Sequence, residues 1–177
     1  MSTVIGIDPS LSSTGIAIRK NDKVVRTWCI TAAGLRGVDR LAELRKSVQV
    51  ALMLYRPQLV AYEGYAFGFR GKSNALFSLG ELGGVLKLLI LESGIDILLV
   101  PPTVLKMFVT GNGAAKKEEV GLALQEELGV SFATSDQADA AGLLLMGEAY
   151  LNRRLLPRHQ THHKVRAIKG CTKLSAI

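Results

Sequence analysis

The chain has 177 residues, 48% of them hydrophobic, and a formal net charge of +7. That length and apolar content suit one domain with a core of its own. No uninterrupted apolar run approaches the roughly 20 residues a membrane helix needs, and no signal-peptide pattern opens the sequence, so a soluble, intracellular protein is expected. The only cysteines, Cys29 and Cys171, have no CxxC or Cys/His spacing, which argues against a zinc module.

In chain order, TVIGID, TGIAIRK and KVVRTWCIT read as three strands, the last two separated by Asn21-Asp22 as a hairpin turn. VDRLAELRKSVQVALMLY has helical spacing and stops before Pro57, after which QLVAYE is a strand. Asn74 to Ser93 and Ala115 to Leu128 are expected helices, with DILLV between them as a strand that Pro101-Pro102 ends. Ser135 is the expected N-cap of a helix running to about Asn152. A meander followed by alternating helices and strands predicts an α/β fold, a mixed five-stranded sheet with helices on both faces.

All 15 acidic residues lie at or before Glu148, and that portion is formally neutral. Arg153, Arg154, Arg158, Lys164, Arg166, Lys169 and Lys173 therefore carry the whole positive excess. The expected organisation is one domain over residues 1–151 and a basic C-terminal tail over 152–177, read as a phosphate-binding arm because cations that neutralise phosphates release counterions. His159, His162 and His163 add to that basic segment rather than suggesting a metal site.

Four carboxylates carry the chemistry. Asp8 and Glu63 each close a short apolar strand, where an acid is costly unless it faces a rim or a ligand. Asp136 and Asp139 are three apart on a helix and share a face. Carboxylates gathered from separate segments raise each other's pKa unless cations neutralise them. Divalent magnesium, which takes oxygen ligands, is the natural counter-charge, and two such ions about 4 Å apart serve phosphodiester hydrolysis. After Glu63, GYAFGFRGKSN interleaves Tyr65, Phe67 and Phe69 with Arg70 and Lys72, a composition suited to stacking on bases and holding a nucleic-acid backbone.

The blocks GIDPSLSSTG, YEG, NALFSLGELGG, PTVLKMFVTGNGAAKKEEV and SDQADAAGLLL resemble, in order and spacing, the RuvC-type Holliday junction resolvases. The resemblance covers about residues 3 to 151 and implies an RNase H-like fold, two Mg2+ ions per active site with Mn2+ as a substitute, and hydrolysis leaving a 5′-phosphate. It implies that Asp8 bridges both metals, that Glu63 serves the leaving group's metal, and that Asp139, with Asp136, serves the metal carrying the nucleophilic water. Lys106 and Lys117 match two lysines near the scissile phosphate, and Lys116 is an extra neighbour able to contact DNA. The apolar helix ALFSLGELGGVLKLLILES matches a two-fold dimer interface, so a homodimer that makes paired, symmetric nicks in four-way junctions is expected.

The aromatic loop is longer than the family pattern, and the basic tail is also a departure. These leave room for a phage or organelle variant that works without RuvA and RuvB and accepts forks or flaps; otherwise a cytoplasmic enzyme of a bacterial or phage-infected cell is expected. Two rivals stand beside this reading. One is a non-catalytic junction-binding scaffold of the same fold. The other is an actin-like or sugar-kinase ATP-binding domain, suggested by GIDPSLSSTG, for which the chain is too short to hold both halves.

Overall fold

β1 (Val4–Asp8) is buried at all five positions, as befits a strand covered by helices on both faces. In this computed structural model, which describes residues 3–20, 24–64, 73–152 and 161–177, β1 pairs antiparallel with β2 (Thr14–Lys20), and β2 pairs antiparallel with β3 (Val24–Ile30). On its other side β1 runs parallel to β4 (Leu59–Glu63), and β4 runs parallel to β5 (Asp96–Val100). A short β6 (Thr172–Leu174) then pairs antiparallel with β5. The sheet order is β3-β2-β1-β4-β5-β6, so the mixed sheet has six strands rather than the five expected. The expected Asn21-Asp22 turn lies outside the described residues.

Six helices complete the described residues: α1 (Gly37–Tyr55), α2 (Ser73–Glu92), α3 (Pro102–Thr110), α4 (Lys117–Leu128), α5 (Ser135–Leu151) and α6 (Thr161–Lys169). The two-residue period of the strands sorts side chains into two cores. Ile5 and Ile7 of β1 and Val60 and Tyr62 of β4 pack with Leu44 and Val48 of α1 and with Leu82 and Leu86 of α2. Val4 of β1 and Leu59 and Ala61 of β4 join the opposite core, with Ala140 and Leu144 of α5, Phe108 of α3, Leu124 of α4 and Ile168 of α6. By the same parity, Asp8 and Glu63 end their strands on the α5 face.

Two glycines let α5 sit directly on the sheet. A Cβ on Gly6 of β1 would collide with the Ala140 carbonyl, and one on Gly15 of β2 with the Asp136 carbonyl. Glycine inside a strand often marks such a close backbone approach. The cap of α5 is Thr134, whose side chain accepts a hydrogen bond from the Gln137 N–H, so the expected N-cap at Ser135 shifts by one residue.

Three elements, α3, α6 and β6, were not expected from sequence. α3 starts with Pro102 at its first helical position and ends at Gly111 in the left-handed region, the usual asymmetry of proline at the start and glycine at the end. The basic C-terminal segment returns to the domain as α6 and β6. Lys164 of α6 is buried, with Nζ 2.6 Å from Glu127 Oε1 of α4 and 5.0 Å above the Phe108 ring of α3. Among the described residues no helix is long and apolar enough to cross a membrane.

Candidate active site

The parallel register of β1 and β4 pairs Ile7 with Tyr62. The next residues, Asp8 and Glu63, therefore lie side by side at the carboxyl ends of adjacent strands, where they share a hydrogen bond. The chain stays pinned beyond Glu63, because the Gly64 N–H donates to the Val100 carbonyl at 2.8 Å. Across from the strands, the first turns of α5 carry Asp136 and Asp139. The close approach at Gly6 and Gly15 brings these two acids within electrostatic reach of Asp8. The structure thus assembles all four carboxylates that the sequence singles out.

Their protonation follows from burial and crowding. Desolvation is the largest influence on Asp8; its hydrogen bond with Glu63 opposes that, and the charges of Asp139 and Asp136 add to it, pushing its pKa up to about 6. Burial also dominates at Glu63, and with the neighbouring Asp8 it pushes that carboxyl up to about 9. At neutral pH the metal-free pair therefore shares a proton, with Glu63 donating to Asp8. Burial raises Asp139 as well, against the pull of Lys117.

Lys117 opens α4 and spans the two α5 acids, with Nζ 3.0 Å from Asp139 Oδ2 and 3.9 Å from Asp136 Oδ1. Burial draws its pKa down, but Asp139 and the other acids outweigh this, so it is raised overall. Lys106 of α3 acts on Asp139 from further away. Lys116 is exposed at the N-cap of α4, where its backbone N–H donates to Glu119 Oε2 at 3.0 Å.

Among the described residues, no group of three or more His, Cys, Asp or Glu is already arranged around a point that would hold a metal. The donor chemistry nonetheless fits a hard divalent cation. Every donor is a carboxylate oxygen, and among the described residues the close neutralising charge comes from a shared proton and Lys117, with Lys106 further off, a balance that a cation can replace.

A sequence model of the family described as crossover junction endodeoxyribonuclease RuvC matches residues 4–146. The chain belongs to this family. As a RuvC family member it is an endodeoxyribonuclease, and the rival reading as an actin-like or sugar-kinase ATP-binding domain falls away. The RuvC crossover junction endodeoxyribonuclease of Myxococcus xanthus is 31% identical over 98% of this chain and 92% of its own length. That of Prochlorococcus marinus is 30% identical over 81% of this chain and 96% of its own. Among solved structures, Thermus thermophilus RuvC in complex with Holliday junction substrate superposes with a TM-score of 0.72 at 23% identity, covering 98% of this chain and 100% of that one. The yeast mitochondrial Holliday junction resolvase gives a TM-score of 0.57 at 12% identity, covering 96% and 81%. These likenesses show that the six-stranded fold is the RNase H-like fold of RuvC.

Several sequence expectations fall elsewhere. Tyr65, Phe67, Phe69, Arg70, Lys72, Arg153, Arg154 and Arg158 lie outside the described residues. The positions that sequence reasoning missed are Gly6 and Gly15, whose signal was a glycine within an otherwise apolar strand.

Proposed function

We propose that the chain is a divalent-metal-dependent endonuclease that resolves four-way DNA junctions by paired, symmetric nicks, with Asp8, Glu63, Asp136 and Asp139 holding the metal. The observation that carries this reading is the meeting of four carboxylates from β1, β4 and α5 at one rim, with a single lysine in close contact among the described residues. Held by Asp8, Glu63, Asp136 and Asp139, divalent magnesium would supply activation of a water at neutral pH and stabilisation of charge on the phosphodiester oxygens. The chain's own part is to set the geometry. Asp8 and Glu63 are fixed by strand register, and they give up their shared proton when cations are bound. Lys117 and Lys106 supply positive charge for the phosphate, Lys117 from the edge of the acids and Lys106 from α3.

The aromatic and cationic residues Tyr65, Phe67, Phe69, Arg70 and Lys72 follow Glu63 directly in the chain, which suits them to the unpaired bases and backbone at a crossover. Lys116, Arg153, Arg154 and Arg158 would grip phosphates of the arms. Paired nicks call for two active sites related by a two-fold axis. In support of a homodimer through α2, Phe77 is 72% and Leu88 50% exposed on that helix, large apolar side chains that favour a covered surface.

The test is cleavage of an end-labelled four-way junction in magnesium and in EDTA, beside linear duplex, fork and flap controls. Symmetric nicks near the crossover, made only with magnesium, are expected. Tight binding without nicking would instead support the non-catalytic junction-binding protein.

A further inference from the structure

Beside the acid rim, α4 and the loop leading into α5 enclose a groove of about 530 Å³, within the usual range of ligand pockets. Lys117 and Asp139 form one wall and so belong to both groove and rim. Glu118, Gly121, Leu122 and Gln125 of α4 and Phe132 of the loop line much of the remainder, with small residues at the start of α5.

Gly121 is the first notable feature. A glycine inside a helix is destabilising relative to alanine, and packing does not explain this one, because a Cβ there would meet nothing within 4 Å. Its missing side chain leaves the groove open. Leu122 beside it is 65% exposed, and the partly buried Phe132 is seated against the core. The loop carrying Phe132 is fixed in advance. The Ala133 N–H donates to Gln137 Oε1 at 2.9 Å, the Gln137 N–H donates to Thr134 Oγ1 at 3.2 Å, and Cys29 Sγ of β3 lies 3.3 Å from Thr134 Oγ1. A site held rigid before binding loses less freedom when a ligand arrives.

The lining selects the occupant. Among the described lining residues the one cation is Lys117, already paired with Asp139, and Glu118 adds a further negative charge that disfavours a phosphate, whereas the walls also offer an aromatic ring, an aliphatic side chain and the amide of Gln125. That combination fits a flat heteroaromatic group with hydrogen-bonding edges better than a phosphate. We propose that the groove receives one unpaired nucleobase of the cleaved strand, from a nucleotide adjoining the scissile phosphate. The base lies against Phe132 and Leu122, and its edge meets Gln125. The groove thereby contributes to the choice of the bond that is cut. This inference rests on the nuclease reading of the rim, since the shared Asp139 and Lys117 tie the base to the phosphate.

The experiment pairs Gly121→Leu with junctions that carry one abasic nucleotide at each position flanking the cut. Single-turnover nicking in magnesium is read together with the melting temperature. For the wild type, one abasic position is expected to slow nicking by about 5- to 100-fold, the range for loss of one stacked base. Gly121→Leu, which fills the groove, is expected to slow nicking of the intact junction by a similar factor while melting no lower than the wild type. On the abasic junction it adds little further loss, because both changes remove one interaction. Phe132→Ala is expected to show the same non-additivity. Wild-type rates for Gly121→Leu, or losses that simply multiply at every abasic position, would overturn the groove proposal. A wild type that nicks no junction in magnesium would overturn the nuclease reading instead.

Discussion

Lys117 and Lys164 both meet a carboxylate, yet their surroundings differ in kind. Lys164 has a side chain only 6% exposed and lies 2.6 Å from Glu127, with its remaining face over the Phe108 ring. Lys117 is 52% exposed and faces two acids at 3.0 and 3.9 Å, with the Asp8–Glu63 pair close enough to influence it. In the first place one charge answers another, and the pair ties α6 to α4. In the second, four acids share one close cation among the described residues, and the proton held between Asp8 and Glu63 neutralises only one of that pair. The ion pair of Lys164 and Glu127 is balanced, whereas the acid rim carries unspent negative charge, as a site that receives a cation does.

The strongest way to break this contrast is to remove a carboxylate from the unbalanced side. Asp8→Asn is expected to lower the single-turnover nicking rate by about a thousandfold or more, the loss of several kcal/mol of transition-state stabilisation. Junction affinity in EDTA should stay the same or tighten, because a charge that repels phosphate is gone. Gel-shift and cleavage assays on one preparation separate the two effects.

Lys117→Ala comes next, with an expected loss of about 100-fold in nicking rate. If Lys117 were only a structural partner of Asp139, the rate would stay near wild type while the melting temperature dropped.

On the balanced side the expected effects concern stability alone. Glu127→Gln leaves the Lys164 ammonium buried without its counter-charge, a cost of about 1–3 kcal/mol. For a chain of this size that lowers Tm by about 2–4 °C per kcal/mol. Lys164→Met should cost less, because the side chain of Glu127 is 36% exposed and remains hydrated. Both variants, once folded, should nick at wild-type rates.

The smallest expected effect is a pH dependence of stability. An acid with a raised folded pKa keeps a proton that the unfolded chain releases, so its contribution is fully present below the unfolded pKa and is lost as pH rises. For Asp8 the window runs from about 4 to about 6 and for Glu63 from about 4.5 to about 9. Metal-free protein should therefore lose Tm progressively from about pH 4 to about pH 9 through these groups. Glu63→Gln should remove the upper part of that fall, and saturating magnesium should flatten it. A metal-free Tm in which Glu63→Gln changes nothing across this range would place Glu63 outside the charge deficit.

The legible parts of the fold were those with strong periodicity. β1, β4 and β5 are apolar runs, and the long helices carry clear spacing, so the α/β sheet and the four acids could be read before any coordinates. α3 was hidden because Pro101-Pro102 reads first as a strand terminator and only then as a helix start. α6 and β6 were hidden by their charge. THHKVRAIK looks like a solvated tail until Lys164 is seen turned inward, and TKL is too short for an alternating pattern to register. In the site, the two α5 acids were legible from their three-residue spacing. Their approach to Asp8 depends on the absent side chains of Gly6 and Gly15, a tertiary fact that a single sequence marks only as a weak point in a strand.

The most direct test of the rim is calorimetric titration of magnesium into metal-free protein at about pH 7.5, between the two raised pKa values, in two buffers of different ionisation enthalpy. Binding heats that depend on the buffer, reporting a proton released from the Asp8–Glu63 pair and diminished in Glu63→Gln, are the predicted result. Saturable magnesium binding with no buffer dependence, or binding that survives Asp8→Asn unchanged, would contradict a metal site built on these carboxylates.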